Sequence, residues 1–411
     1  MSEKSAGNDV DYAAKSRMAR HRAVLRWLMP FWFANSLPSN TTSAIQSWKK
    51  EIPGKINALA SRYLVPAAAP MRYIGQQPVA RISLVGETLA IELLNIPFSR
   101  GAKHMPQEAA VSKVSAQGYK ADPRNDNVLV YVNGEFMLKD QATVSIFDSG
   151  FIVGDGVWEG LRLVNDKLIA VDEHMERLFT GARSIDLDIG LSRDEVKELV
   201  WSTLKKNNMH DGVHIRLMIT RGRKSTANQD PRFALGKPTI VITAEYKVVN
   251  PEVKARGMSL YTSTFRCSSP DVFDLRLNSH SRLNLIQALI QAIHAGADEA
   301  LMLDPYGFVA SCNSTNFFVV RRGALWTSTG RYNFNGITHR TVMRLARQAG
   351  IELFVGDYTL AEVYSADEGF VTGTLSGITP VVRIDGKTIG TGKPGPVTAQ
   401  IAQLYDTYLH S

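Results

Sequence analysis

Only two cysteines, Cys267 and Cys312, occur in the 411 residues. That is too few for a disulfide framework or a cysteine-ligated metal site. No run of 18 or more apolar residues appears, so the sequence offers no obvious membrane span. Acidic residues are scarce in the first third. Residues 1–125 hold 17 Lys and Arg against 8 Asp and Glu, whereas the remainder holds 30 against 31. The formal net charge of +8 therefore belongs to the N-terminal third, and the balanced remainder gives no reason to expect nucleic acid. Lysine is absent between Lys254 and Lys387. What is present is an ordinary globular composition, 44% hydrophobic and 21% charged, in a chain long enough for two or three domains.

Residues 1–125 read as a basic extension, partly disordered or helical. "AAKSRMARHRAVLRWLMPFWFANSLPSN" places Arg and Lys before a short apolar stretch broken by Pro30. An organellar targeting segment, a membrane-surface helix and a plain basic extension all stay open here. "YLVPAAAP" and "RGAKHMPQEAAVSKVSAQGYKADPRNDN" read as linkers, and "VARISLVGETLAIELL" alternates like a hairpin. From Val128 the signals sharpen. "VLVYVNGEFM" sets two β runs around Asn133-Gly134, a strong hairpin signal. "VDEHMERLFTGARSIDL" spaces Met175, Leu178, Ala182 and Ile185 on one helical face, with Asp172 as the expected N-cap. "VHIRLMITRG" and "PTIVITAEY" read as strands, and residues 246–257 as a polar connection. The second unit holds a helix from about Ser281 to Ala295 stopped by Gly296, the strand "EALMLD", the run "NFFVV", the helix "THRTVMRLARQAG" and a hairpin turning at Asp385-Gly386. The pattern is α+β in two units after the extension, 126–250 and 251–411.

Nine pieces, in order, resemble the class IV, fold-type IV pyridoxal-phosphate enzymes. They are "YVNGEF", "FDSGFIVGDGVWEGLR", "EHMERL", "ITRG", "RLNLIQALIQAIHAGADEALMLD", "FVASCNSTNFFVV", "NGIT", "ADEGFVTGTLSGITPVVRIDG" and "GKPGPVT". The family includes branched-chain and D-amino-acid aminotransferases and aminodeoxychorismate lyase. The resemblance implies a small N-terminal domain over 126–250, a larger cofactor-binding domain over 251–411, pyridoxal 5′-phosphate as cofactor, an amino acid and a 2-oxo acid as substrates, a homodimer and a cytoplasmic setting. It implies that Arg177 grips the cofactor phosphate as a charged fork. Turns at Ile337-Thr338 and Gly373-Thr374 would add backbone N–H groups and hydroxyls. Trp158 and Glu159 fall where the family lines its substrate pocket. Arg216 alternates along its strand and faces either pocket or solvent. The D-amino-acid enzymes carry an Arg-x-His carboxylate trap after "TRG". Here "RGRKSTANQDP" lacks that pair, leaving Arg221, Arg223 and Lys224 as carboxylate attractors or plain surface charge.

Two positions depart from the family pattern. The family lysine forms a Schiff base with the cofactor and moves the proton between substrate and cofactor. The register set by Arg282, Leu283, Asn284 and Gly296 puts Asn278 at that position. The family glutamate that pairs with the pyridine nitrogen is replaced by Ser311, which can hydrogen-bond the nitrogen but does not favour its protonation as a carboxylate does. Loss of general acid–base help alone costs about 10²- to 10⁴-fold. Four readings follow: a pseudoenzyme that kept the fold, a binder of non-covalent pyridoxal phosphate or its amino-acid adduct, an aminotransferase with a substitute base, or an unnatural residue at 278. His280 is the nearest substitute base. A membrane- or partner-associated scaffold whose basic N-terminal third does the work is a further reading.

Overall fold

The computed structural model describes residues 118–411, together with the strand backbones of β1 (Ala80–Val85) and β2 (Thr88–Leu93). The basic helix expected near the N-terminus, the linker "YLVPAAAP" and most of the second linker lie outside the described residues. The chain divides into units 1–103 and 104–411. In the first, β1 pairs antiparallel with β2, Val85 opposite Thr88. In the second, the end of the expected linker is pinned. The Asn125 Nδ2–H donates to Tyr246 O (2.8 Å), and the Tyr246 N–H donates to Asn125 Oδ1 (2.8 Å). An asparagine amide can pair with a strand's backbone in this way because it carries both a donor and an acceptor.

The first sheet is built from β3 (Leu129–Val132), β4 (Glu135–Leu138), β5 (Gly156–Val164), β6 (Lys167–Leu168), β7 (Val213–Thr220) and β8 (Thr239–Tyr246). Its order is β4-β3-β8-β7-β5-β6, with every neighbouring pair antiparallel. Asn133 and Gly134 both take positive φ, 50° and 102°, which a two-residue turn between twisted strands requires. Helices α1 (Val171–Ser184) and α2 (Arg193–Lys206) pack on this sheet through Met175, Leu178, Val196 and Val200. Helix α1 starts two residues earlier than expected. Its N-cap is Ala170, which makes no side-chain cap, and Asp172 instead lies in the first turn, where its charge favours the helix dipole.

The second sheet has nine strands: β9 (Met258–Thr262), β10 (Glu299–Leu303), β11 (Val309–Cys312), β12 (Asn316–Arg321), β13 (Ala324–Thr327), β14 (Leu353–Val355), β15 (Glu368–Gly373), β16 (Gly377–Ile384) and β17 (Lys387–Thr388). Its order is β11-β10-β9-β16-β15-β12-β13-β14, with β17 paired to β16. Helix α3 (Leu283–His294) crosses from β9 to the parallel β10, and Gly296 ends that segment at φ 73°. Helices α4 (Ile337–Gln348) and α5 (Pro396–His410) pack on each other beside β15 and β16. Mixed helix and sheet in this arrangement is the fold-type IV architecture that the nine sequence pieces imply.

Strand β10 carries a fully buried carboxyl. Glu299 Oε1 accepts from the Ser314 N–H and hydroxyl and from the Thr315 hydroxyl, whereas Oε2 has no partner. Burial lifts its pKa from 4.5 to about 7, against the pull of those hydrogen bonds. The folded state thus holds an extra proton between about pH 4.5 and 7, so stability falls as pH rises through that window and levels off above it. The fall amounts to about 3 kcal/mol. Glu299→Gln keeps the acceptor and removes the titration. Urea unfolding at pH 5, 6, 7 and 8 should therefore show a shallower decline for the variant, and parallel curves would refute the assignment.

Candidate functional site

The stretch Leu277–Asn284 lies along the start of β5. The Trp158 N–H donates to Asn278 O (2.9 Å), and the His280 N–H donates to Gly156 O (3.0 Å). The Trp158 indole N–H reaches Ser279 O (2.9 Å). Only glycine permits this approach at 156, because a Cβ there would sit 2.6 Å from Ile219 O and 2.9 Å from His280 Cδ2. Strand alternation then sorts the β5 side chains. Trp158 and Gly160 line a cavity of about 480 Å³, and Glu159 points to the opposite face, beneath α1.

Glu159 is therefore a support rather than a pocket wall, which corrects the expectation for it. Its carboxylate takes the Arg177 fork at both oxygens, Nε to Oε1 at 2.7 Å and Nη2 to Oε2 at 2.6 Å. His174 Nδ1 lies 2.7 Å from Oε2. Burial alone pushes the Glu159 pKa up, but Arg177 and His174 outweigh it and hold the group ionised, below the usual glutamate range. The third nitrogen of Arg177, Nη1, is buried and has no acceptor, and the cavity-lining Thr372 hydroxyl is buried and unpartnered as well.

The two expected turns meet Arg177 in the same cavity. Ile337 and Thr338 open α4 behind Gly336, an N-cap that offers no side chain to the first N–H groups. Gly373 and Thr374 follow at the end of β15 and also line the wall. A twelve-residue helix aims its positive end here, beside an arginine with a free donor. This is what an anion needs.

Asn278 lines the same cavity and is 2% exposed. Its amide is used at both ends, Nδ2–H donating to Trp158 O and Oδ1 accepting from Arg282 Nη2. Ser311 lines the wall too. Its hydroxyl donates to Thr315 O (2.9 Å) and accepts from Asn316 Nδ2 (3.3 Å), so it offers the cavity a lone pair and no charge. Arg216 faces inward, its guanidinium 3.3 Å from the centre of the Trp158 ring, and burial pushes its pKa down to about 10. His280 is not among the lining residues. Its Nε2 lies 3.2 Å from Val157 O, and burial lowers its pKa, so the local strand geometry turns the expected substitute base into a β5 partner.

The "TRG" loop also differs from expectation. Arg221 is bidentate to Asp155 and donates to Ile185 O and Asp186 O. Lys224 is 1% exposed, with Nζ 2.9 Å from Asn228 O, so it holds its own loop together. Neither lines the cavity. Among the lining residues that escaped the sequence reading are His214, Lys247, Arg282 and Phe334. His214 precedes Arg216 by two on β7 and so shares its face, a signal that was available. Burial takes its pKa down to about 3, so it is neutral. Lys247 comes from the polar connection and pairs with Glu245 at 2.7 Å. No local periodicity marks it.

Comparison with known proteins decides the family. The class IV amino-transferase model matches residues 156–384. The chain belongs to the class IV aminotransferase family. It is 39% identical over 285 residues to the branched-chain-amino-acid aminotransferase-like protein 1 of Arabidopsis thaliana, covering 69% of this chain and 51% of that protein. The chain thus spans about half the length of that relative. It is 32% identical over 285 residues to the branched-chain-amino-acid aminotransferase of Pseudomonas aeruginosa, covering 67% of this chain and 91% of the other. Among solved structures, the branched-chain amino acid aminotransferase of Thermobaculum terrenum in its pyridoxal-phosphate form superposes with a TM-score of 0.62 at 25% identity, covering 70% of this chain and 95% of that one.

Class IV aminotransferases use pyridoxal phosphate, and the residues of this class IV chain fit a phosphate. A dianion would give Arg177 Nη1 and the Thr372 hydroxyl the acceptors they lack. A hydrogen bond to a charged group contributes about 1.5–3 kcal/mol. Arg177→Lys removes the fork, and Glu159→Gln removes the charge that orients it. Each should weaken binding of pyridoxamine 5′-phosphate by about 10- to 100-fold in calorimetric titration. Wild-type affinity in both variants would show that Arg177 faces no phosphate.

Proposed function

We propose that this class IV aminotransferase relative holds pyridoxal phosphate without a covalent bond and does not transaminate by the lysine route. One observation carries the reading. The cavity keeps an unpartnered Arg177 Nη1 at an uncapped helix end, whereas Asn278, at the position of the family lysine, has no amine and no free amide atom. When bound, pyridoxal phosphate supplies an electrophilic carbonyl and an electron-withdrawing ring. The chain's own part is to grip the phosphate with Arg177, Thr338 and Thr374, and to face the ring nitrogen with Ser311, whose neutral oxygen does not stabilise a protonated ring. No side chain at Asn278 or Ser311 titrates in the range that proton transfer needs.

A second reading has one observation in its favour. Lys247 lines the cavity and is an amine from outside the expected stretch. Released from Glu245, it could serve as the substitute nucleophile of an aminotransferase acting on branched-chain amino acids and 2-oxo acids. We further read residues 126–250 and 251–411 as the two domains of the unit, which the two separate sheets support. The homodimer belongs to the same reading. Its support is the exposed apolar face of α3, where Leu283, Ile286, Ile290 and Ile293 recur at helical spacing.

Incubation with pyridoxal phosphate, borohydride reduction and peptide mass spectrometry separates these readings. The expected result is ligand that binds, is lost on desalting and leaves no reduced adduct. A stable adduct on Lys247 would establish the second reading instead, and absence of binding would remove both. Asn278→Lys should gain a borohydride-stable adduct at residue 278, because the amine then stands on the strand beside Trp158. An unmodified residue 278 in that variant would put the lysine register in error.

A further inference from the structure

Two of the three guanidinium groups in the cavity have no role in the reading above, on which this inference rests. Arg177, Phe334, Arg282, Trp158 and Arg216 form an alternating row of cations and rings. Arg177 lies 4.3 Å and Arg282 5.3 Å from the centre of the Phe334 ring, and Arg282 lies 5.6 Å and Arg216 3.3 Å from that of Trp158. Only Arg177 has an acidic partner among the described residues. Arg282 donates Nε–H to Ser279 O (3.1 Å) and Nη2–H to Asn278 Oδ1, and its Nη1 has no acceptor there. Burial, with Arg177 and Arg216 nearby, pushes its pKa down to about 10, so it stays charged at neutral pH.

Asn278 fixes this arrangement. Its Oδ1 accepts from Arg282 while its Nδ2–H is tied to Trp158 O, so the amide is a rigid bracket that holds one guanidinium edge. A lysine could not do this, since an ammonium has no acceptor and would repel Arg282. The exchange at 278 therefore replaces a reactive amine with an oriented, permanently charged fork. In the family, the lysine bonds the same cofactor carbon to which an amino acid becomes joined, so a group beside Asn278 stands beside that amino acid. A guanidinium edge matches a carboxylate, which can take two parallel N–H bonds.

We propose that Arg282, held by Asn278, receives the carboxylate of an amino acid already joined to the cofactor, so that the cavity selects the ready-made phosphopyridoxyl amino acid over pyridoxamine 5′-phosphate. The two ligands share the phosphate and the ring and differ in the amino-acid part, its carboxylate and its side chain, so the carboxylate contact is assigned by how the Arg282 variants change the ratio of the two affinities.

The test uses the full chain and calorimetric titration with pyridoxamine 5′-phosphate and with N-(5′-phosphopyridoxyl)-L-leucine, a conjugate that cannot react further. The wild type should bind the conjugate at least about tenfold more tightly than the amine, as one hydrogen-bonded charge pair supplies. In Arg282→Gln the ratio of the two affinities should fall to within about threefold of unity, and Arg282→Lys, which keeps the charge without the fork, should lie between. Thermal melts of the variants check that they fold. Equal wild-type affinities overturn the inference, as does an unchanged ratio in Arg282→Gln, where both ligands weaken together because Arg282 reads the ring or phosphate. In both cases the cofactor reading stands. If neither ligand binds the wild type, the cofactor reading itself fails and this inference with it.

Discussion

The short antiparallel join between residues 278–280 and the start of β5 is the contact on which the site depends. It brings the loop before α3, which belongs to the segment of the nine-stranded sheet, against a strand of the six-stranded one. Backbone bonds at Trp158 and Gly156 fix its register, and the glycine is needed because a methyl group would meet Ile219 and His280. A slip of one residue in the 278–280 segment would turn Ser279 toward the cavity in place of Asn278. The same register turns Asn278 inward and His280 along the strand.

Around this join, charge is placed by pairing rather than by exposure. Glu159 is the buried anion, and two of its neighbours, Arg177 and His174, are oriented by it. Isolated, each group would be expensive to bury, and removing one partner of such a pair costs about 3–5 kcal/mol. The arrangement leaves Arg177 Nη1 without an acceptor in a wall shared with the N-terminus of α4, which is where the proposed phosphate would be held. Arg216 and Arg282, with no such partner among the described residues, carry the remaining positive potential beside two aromatic rings, which cations tolerate because the ring faces are electron-rich.

Much of the fold was legible from local chemistry. The Asn133-Gly134 and Asp385-Gly386 turns, the one-sided face of α1 and the stop of α3 at Gly296 all follow from dihedral preference and periodicity acting over a few residues. The order of the nine pieces pointed to the family to which the comparisons assign the chain. Which side of β5 faces the cavity was less legible. Trp158 and Glu159 are adjacent, and alternation says only that they part, not which one goes inward.

By itself the sequence determined which chemistry is absent: no lysine can reach position 278 from its own segment, and no carboxylate stands at 311. It also determined that an arginine and two hydroxyl-bearing turns were available for an anion. Tertiary structure alone decided that Glu159 serves Arg177, that His280 is spent on a strand, and that Arg282 and Lys247 enter the cavity. The reason is physical. Composition and spacing act along the chain, whereas the pairing of a buried charge is settled by whichever opposite charge or amide the packing of distant segments brings within hydrogen-bond reach, since an unpaired one is too costly to bury.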